Sequence, residues 1–297
     1  MEYEEFKQHI RENIKQYLTA EFADCEMQIV KRKKDNQVET DDLTYKGFGN
    51  EILNPSISLN GLYEQYKSGE NMTDIMWRLA WTIIDAECRI KGYSMNFSDY
   101  ENLKDQIFAA VLNAERNSEL LQDVPHEIRE DLAIVYRLEV TLPKDKPGSF
   151  LIHNSHLEKW GIDAETLKET AWKNMHEHFK PVVLFLGDSD SGEAVLGRKG
   201  GNYGAAYIFD EQTMDKVAQK FGTDIVVIPH TMHTVMLAKK REDMDYDRTK
   251  QIALNAKASG VKPEKFLSDE IYLYEKDTHI FSKIDTDSQT QGMDMTM

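Results

Sequence analysis

The spacing of apolar residues sets the first elements. Phe6, Ile10, Ile14 and Leu18 recur at i,i+4, so residues 4–18 read as an amphipathic helix with Glu5, Gln8, Arg11 and Lys15 on its polar side. Cys25, Met27 and Val30 run into Lys31-Arg32-Lys33-Lys34, and Asp35-Asn36 supplies turn chemistry before residues 38–48, which predicts a hairpin. A third strand follows Pro55 over residues 56–59. Residues 62–66 form a short helix, and Asn71 or Thr73 caps a longer one running to Ile90. Its inner face is Ile75, Leu79, Ile83, Ile84, Ala86 and Cys88; Trp77 and Trp81 fall on a neighbouring stripe and are expected, with Trp160 and Trp172, to pack in the core. Residues 106–112 and 132–142 read as strands.

Pro143-Lys144-Asp145-Lys146-Pro147-Gly148 is a dense breaker cluster near the midpoint, and it predicts an N-terminal lobe of residues 1–146 and a C-terminal lobe of 147–284. Beyond it, helices are expected over 155–160, 164–178, 211–221 (ended by Gly222) and 246–258, ended by Gly260. Strands are expected over 181–186, 194–196, 205–209, 224–228, 234–237, 271–274 and 279–284. Residues 285–297 are polar and without branched apolar or aromatic positions, and should be disordered. Helices interrupt runs of two or three strands, which gives an α+β fold of mixed, mostly antiparallel sheets with packed helices in two lobes.

Charge narrows the partners. A net charge of −16 over 297 residues repels phosphate, so direct binding to nucleic acid or an anionic membrane is not expected, although a carboxylate-coated DNA mimic stays open. No apolar run is long enough to span a bilayer and the first residues lack a signal-peptide pattern, so the expected location is the cytoplasm. Cys25 and Cys88 fit no disulfide or zinc spacing and read as buried thiols.

Candidate chemistry gathers where the apolar run 224–228 meets Pro229 and two histidines, His230 and His233, follow three apart. Neutral imidazoles at a strand end can hold a metal with a third ligand such as His176 or His178. The His-Glu-x-x-His context is missing, so hydrogen-bonded structural histidines are the expectation and no metal or cofactor is assigned. Gly197 to Gly204 offers backbone amides with Arg198, Lys199 and Tyr203, the ingredients of an anion-binding turn, but its lysine precedes the paired glycines and no Walker loop is formed. Gly187 to Gly192 opens like a calcium loop, yet Lys199 stands where the bidentate acid would fall. Ser155, His156 and Ser191 carry no Gly-x-Ser-x-Gly elbow. The basic run Lys31 to Lys34 is expected to guard a strand edge.

Three segments carry a family likeness: Asn54-Pro55-Ser56-Ile57-Ser58-Leu59-Asn60 with Tyr63-Glu64-Gln65-Tyr66 and Gly69; Pro229-His230-Thr231-Met232-His233; and Leu267-Ser268-Asp269 ahead of Tyr272 and Tyr274. Together they resemble an uncharacterised bacterial family of unknown function, common in gut Firmicutes and often on mobile elements, which is distantly similar to an uncharacterised Bacillus-type family. That resemblance implies a cytoplasmic accessory protein and transfers no catalytic residues. Its relatives favour Pro-Ser-Ser-x-His-Glu at the junction, so His233 matches, while His230 and Thr234 replace a serine and an acid.

No coherent catalytic set emerges, and the leading expectation is a non-enzymatic protein-binding or regulatory module using a sheet edge or the cleft at Pro229 to His233. The alternatives are an enzyme or sensor of a phosphate-containing small ligand, built from His230, His233, Arg198, Lys199 and Tyr203, and an acidic DNA mimic or inhibitor.

Overall fold

The computed structural model describes residues 1–46, 56–90, 99–142, 146–187, 192–258 and 260–286. It has an α+β fold in two compact units, Met1–Met95 with Thr141–Gly148, and Asn96–Val140 with Ser149–Met297.

In the first unit α1 spans Tyr3–Asn13, opened by Glu5, whose carboxylate accepts from the Glu2 N–H at 3.1 Å. The helix stops a turn earlier than its apolar stripe, and Ile14–Tyr17 tighten into a 3₁₀ turn that keeps Ile14 buried. Strands β1 (Glu26–Lys33) and β2 (Glu39–Lys46) pair antiparallel across a turn in which Asn36 and Gln37 take φ of 62° and 55°; β3 (Ser56–Ser58) lies on the other side of β2. Two positive φ values suit the right-handed twist of a tight hairpin. Lys31, Arg32 and Lys33 lie on β1, an outer strand of this three-stranded sheet. Helices α2 (Asn60–Lys67) and α3 (Met72–Ile90) complete a core of Phe6, Ile10, Leu43, Ile75, Leu79 and Ile83.

The expected burial of two tryptophans fails: Trp77 is 58% and Trp81 71% exposed. Ile75, Met76, Leu79, Ala80 and Ile83 fix the inner face of α3, and at 100° per residue both indoles fall on the opposite side. Helical phase outweighs side-chain size here. Cys25 is buried as a free thiol; the Cys88 side chain lies outside the described residues, as do the Gly187 to Gly192 loop over 188–191 and most of the tail expected to be disordered.

The second unit opens with α4 (Tyr100–Leu103) and carries two sheets. One joins β4 (Ile107–Asn113), β6 (Leu132–Leu142) and β5 (His126–Arg129) in that order, with β7 (Lys146–Leu151) also on β6. Next come α5 (Asn154–Trp160) and α6 (Ala164–Glu177). The other sheet comprises β8 (Pro181–Leu186), β9 (Glu193–Arg198), β10 (Ile225–Pro229), β11 (Val235–Lys239), β12 (Tyr272–Tyr274) and β13 (Phe281–Lys283). Its spatial order is β13-β12-β10-β11-β9-β8, antiparallel throughout. Helix α7 (Glu211–Phe221) is capped by Asp210 at its start and by left-handed Gly222 at its end, and α8 (Tyr246–Ala258) precedes β12.

These units do not divide at residues 146/147. Strand β4 is buried along its whole length because it pairs with β6 on one side and receives α6, whose Asn174 amide donates to the Lys104 and Ile107 carbonyls at 2.6 and 2.8 Å. A break after β6 would part β4 from α6, and the chain from Asn96 to Val140 groups with the C-terminal half. Residues Gly204–Phe209, expected to contain a strand, form a buried 3₁₀ segment. An apolar run marks burial, and periodicity alone does not separate strand from tight helix over so short a length.

Leu79→Ala is expected to cost about 2–5 kcal/mol in urea unfolding, whereas Trp81→Ser should stay within about 0.5 kcal/mol of the wild type. Equal losses would contradict the assigned faces of α3.

Candidate functional site

The turn after β10 places the first of the sequence candidates. Thr231 Oγ1 accepts from the His233 and Thr234 N–H groups at 3.1 and 3.2 Å, and the Met232 N–H donates to the Lys265 carbonyl at 3.0 Å. This holds the His233 ring against the turn between β9 and the 3₁₀ segment, where the Tyr203 N–H donates to His233 Nδ1 at 3.0 Å. Accepting there fixes the neutral tautomer with its proton on Nε2. Burial holds the imidazole below its usual pKa range, and the charges of Lys265, Arg137 and Arg198 add to the shift.

Gly204 lets the chain after β9 fold back onto the end of that strand. A Cβ there would lie 2.4 Å from the Arg198 nitrogen and 2.5 Å from the Gly197 carbonyl carbon, both backbone. Tyr203 sits at φ 59°, in the left-handed region that non-glycine residues rarely adopt. Its ring makes an edge contact with His233 at 5.3 Å and takes the Arg137 guanidinium over its face at 4.4 Å. Arg198 lies over Phe108 and Phe179 at 4.4 and 4.9 Å and pairs with Glu139 at 2.6 Å. Arg198, Tyr203 and His233 are therefore together, joined by Arg137, which sequence reasoning did not single out. Lys199 is exposed and His230 is half-buried, and neither makes these contacts. His176 bonds Asp210 at 2.7 Å instead of approaching His233, and no group of three or more His, Cys, Asp or Glu residues is placed to hold a metal among the described residues.

A second region is open. A cavity of about 400 Å³ lies where both sheets of the second unit end, lined by Glu127 and Arg129 from β5, Lys168 and Trp172 from α6, and Phe281 from β13. Ile134 and Ile208 supply apolar lining, and Glu211, Tyr274, His279 and Ile280 complete the wall. Glu127 and Ile134 are cross-strand partners and so present the same face of their sheet. Lys168 and Trp172 are i,i+4 on α6, which puts a cation and an indole on one stripe.

The polar groups of the cavity are organised. Glu127 accepts from Lys168 at 3.0 Å and from the Tyr136 hydroxyl at 3.3 Å, and Arg129 stands 3.7 Å from its other oxygen. Across the space the Tyr274 hydroxyl donates to Asp215 at 2.8 Å, while His279 Nδ1 lies 2.9 Å from that hydroxyl and 3.1 Å from the carboxylate. Burial first, then the bond to Asp215, raises the Tyr274 pKa and keeps the phenol protonated. With the phenol proton directed at Asp215, His279 Nδ1 is placed to donate to the same pair of oxygens. His279 takes φ 57°, a second non-glycine residue in the left-handed region. Among the described residues, no serine, threonine or cysteine lines the cavity.

These features define an α+β protein with one closed cation–aromatic cluster and one open, mixed-polarity cavity. The chain belongs to a family of unknown function, DUF5688, whose profile matches residues 3–189 and 193–276. Comparison with curated proteins and with solved structures finds no match. No helix among the described residues is long and apolar enough to cross a membrane.

His233 ties stability to pH. Its folded pKa is depressed, so the folded state binds fewer protons there than the unfolded chain, and stability present above about pH 6.5 is lost as pH falls through the folded pKa. Burial of His156, reinforced by His153 and Lys159, acts in the same direction. His233→Asn offers an amide oxygen to the Tyr203 N–H without a titrating ring, and its urea midpoint should fall less than the wild type's between about pH 7 and 5. Parallel falls would contradict a neutral, buried His233. Gly204→Ala should cost about 1–3 kcal/mol through backbone displacement, read in the same assay.

Proposed function

We propose that this protein is a non-catalytic binding module of the bacterial cytoplasm, and that its C-terminal unit receives an extended segment of a partner protein at the open cavity. One observation carries the reading: the cavity is walled by β5 and β13, each the terminal strand of its own sheet, with Trp172 between them. A terminal strand offers unpaired N–H and C=O groups along which an incoming segment adds as a further strand, and an adjoining cavity then selects its side chains. A volume near 400 Å³ is ample for one branched or aromatic side chain.

Charge specifies the partner further. Lys168 and Arg129 share one carboxylate, Glu127, and both retain donors, so an acidic residue beside the apolar anchor of the partner would be met on that side. Glu211 and His279 line the cavity as well. The lining histidine, His279, is paired with Asp215 behind the wall and has no serine, threonine or cysteine beside it among the described lining residues, which suits recognition better than group transfer. A DNA mimic needs an unbroken acidic face, whereas the acids here alternate with cations in pairs such as Lys7–Glu4, Lys67–Glu64, Arg78–Glu70 and Lys104–Glu101. The buried, reduced Cys25 is compatible with a cytoplasmic location.

Panning a displayed random peptide library against the purified chain should enrich sequences with a branched or aromatic residue next to Asp or Glu. Calorimetric affinity for the enriched peptide should fall at least about tenfold on Trp172→Ala and on Ile280→Asp, the latter at an exposed position that leaves the fold intact. An enriched peptide indifferent to both changes, or a library that yields none, defeats the proposal.

A further inference from the structure

We infer that the cluster of Arg198, Arg137 and His233 at the Gly197 to Gly204 turn is a binding site for a small oxyanion, a carboxylate or phosphate group. This inference is independent of the open cavity. It begins from a guanidinium that is only 2% exposed yet spends one nitrogen on a protein acceptor: Nη2 donates to Glu139 at 2.6 Å, while Nε and Nη1, both buried, have no hydrogen-bond partner. Buried donors of a permanent cation are almost always met, and an orphan of this kind marks a water or ion that completes the site. Phe108 and Phe179, whose ring centroids are 5.3 Å apart, lie on one side of the guanidinium and supply no acceptor to its edge.

The surroundings select a negative ligand over a neutral one. Arg137 lies over the Tyr203 ring, whose edge meets His233, and Tyr203 in turn packs 5.9 Å from Phe108, beneath Arg198. Two guanidiniums thus share one aromatic platform in a protein whose net charge is −16. Glu139 meets one donor of Arg198, and an oxyanion at the two unmet donors would gain charge-assisted bonds that a neutral ligand does not. His233 contributes its Nε2–H as a further donor, since Nδ1 already accepts from Tyr203. Access is short: Gly200 and Gly201 are exposed, and Tyr203 and His233 are half-buried. Arg198, Tyr203 and His233 belong to the site, and Lys199 and His230 do not.

The test is thermal unfolding of the full chain in sodium phosphate or sodium acetate against sodium chloride at equal ionic strength. The midpoint should rise by about 3 °C or more in about 20 mM of at least one oxyanion, and the stronger of the two identifies the ligand group. Arg198→Lys keeps a charge but loses the planar donor set, and Arg198→Met loses both; each should weaken half-saturation at least about tenfold with the far-ultraviolet spectrum unchanged. Should both unfold the chain, Tyr203→Ala at a half-buried position reads the same site, and half-saturation unchanged from wild type overturns the proposal. It is equally overturned if neither oxyanion exceeds chloride, which would mean that water meets the buried donors, or if Arg198→Lys responds as wild type does.

Discussion

The carboxylate of Asp131 is the contact on which the architecture of the larger unit rests. It stands in the turn between β5 and β6, where Glu130 takes φ 55°, and it accepts from the Tyr272 hydroxyl at 2.6 Å and from Ser268 Oγ at 2.7 Å. Tyr272 is wholly buried in β12, so this cluster joins the turn of one sheet to a strand of the other. Burial, followed by the bond to Asp131, raises the pKa of the Tyr272 phenol and keeps it a donor. Ser268 Oγ also accepts from the Glu270 N–H at 3.0 Å, and the Asp131 carbonyl accepts from the Ala114 N–H at 2.8 Å. A half-buried carboxylate satisfied in this way holds the geometry only while every partner stays in place, which makes the junction stringent whatever its net contribution to stability.

The open cavity follows from that junction. Glu127, Arg129 and Ile134 come from the sheet that carries Asp131, and Tyr274 and Phe281 from the sheet that carries Tyr272. Arg129 and Tyr274 each stand two residues from that bond, which therefore bears on their separation. The cation cluster depends on different constraints, the close return of the chain at Gly204 onto Gly197 and Arg198 and the Tyr203 N–H bond to His233. An acidic protein keeps its buried cations by stacking them on aromatic rings, which replaces part of the lost hydration without adding further negative charge.

Periodicity made the helices legible, and Asp35-Asn36 made the first hairpin legible, because both signals are local and physical. Asn36 does adopt the left-handed conformation that its side chain tolerates. The misjudged tryptophans show the limit: their size suggested burial, while their phase on α3 put them outside. Residues 204–209 were apolar because they are buried, and that gave no information on their backbone state. No local signal reveals that β4 receives α6, which lies beyond the breaker cluster at 143–148. Arg198, Tyr203 and His233 could be nominated from turn chemistry, but the cavity could not. Glu127, Lys168, Glu211 and His279 lie far apart along the chain, and only the meeting of two sheets brings them to one wall.

A double-mutant cycle on Asp131→Asn and Tyr272→Phe, read by urea unfolding, addresses the junction directly. A coupling energy of about 1–3 kcal/mol is expected, with each single change destabilising because it leaves a buried partner unmet. Additive effects, or a Tyr272→Phe protein as stable as wild type, would show that the two sheets are held in register by packing alone.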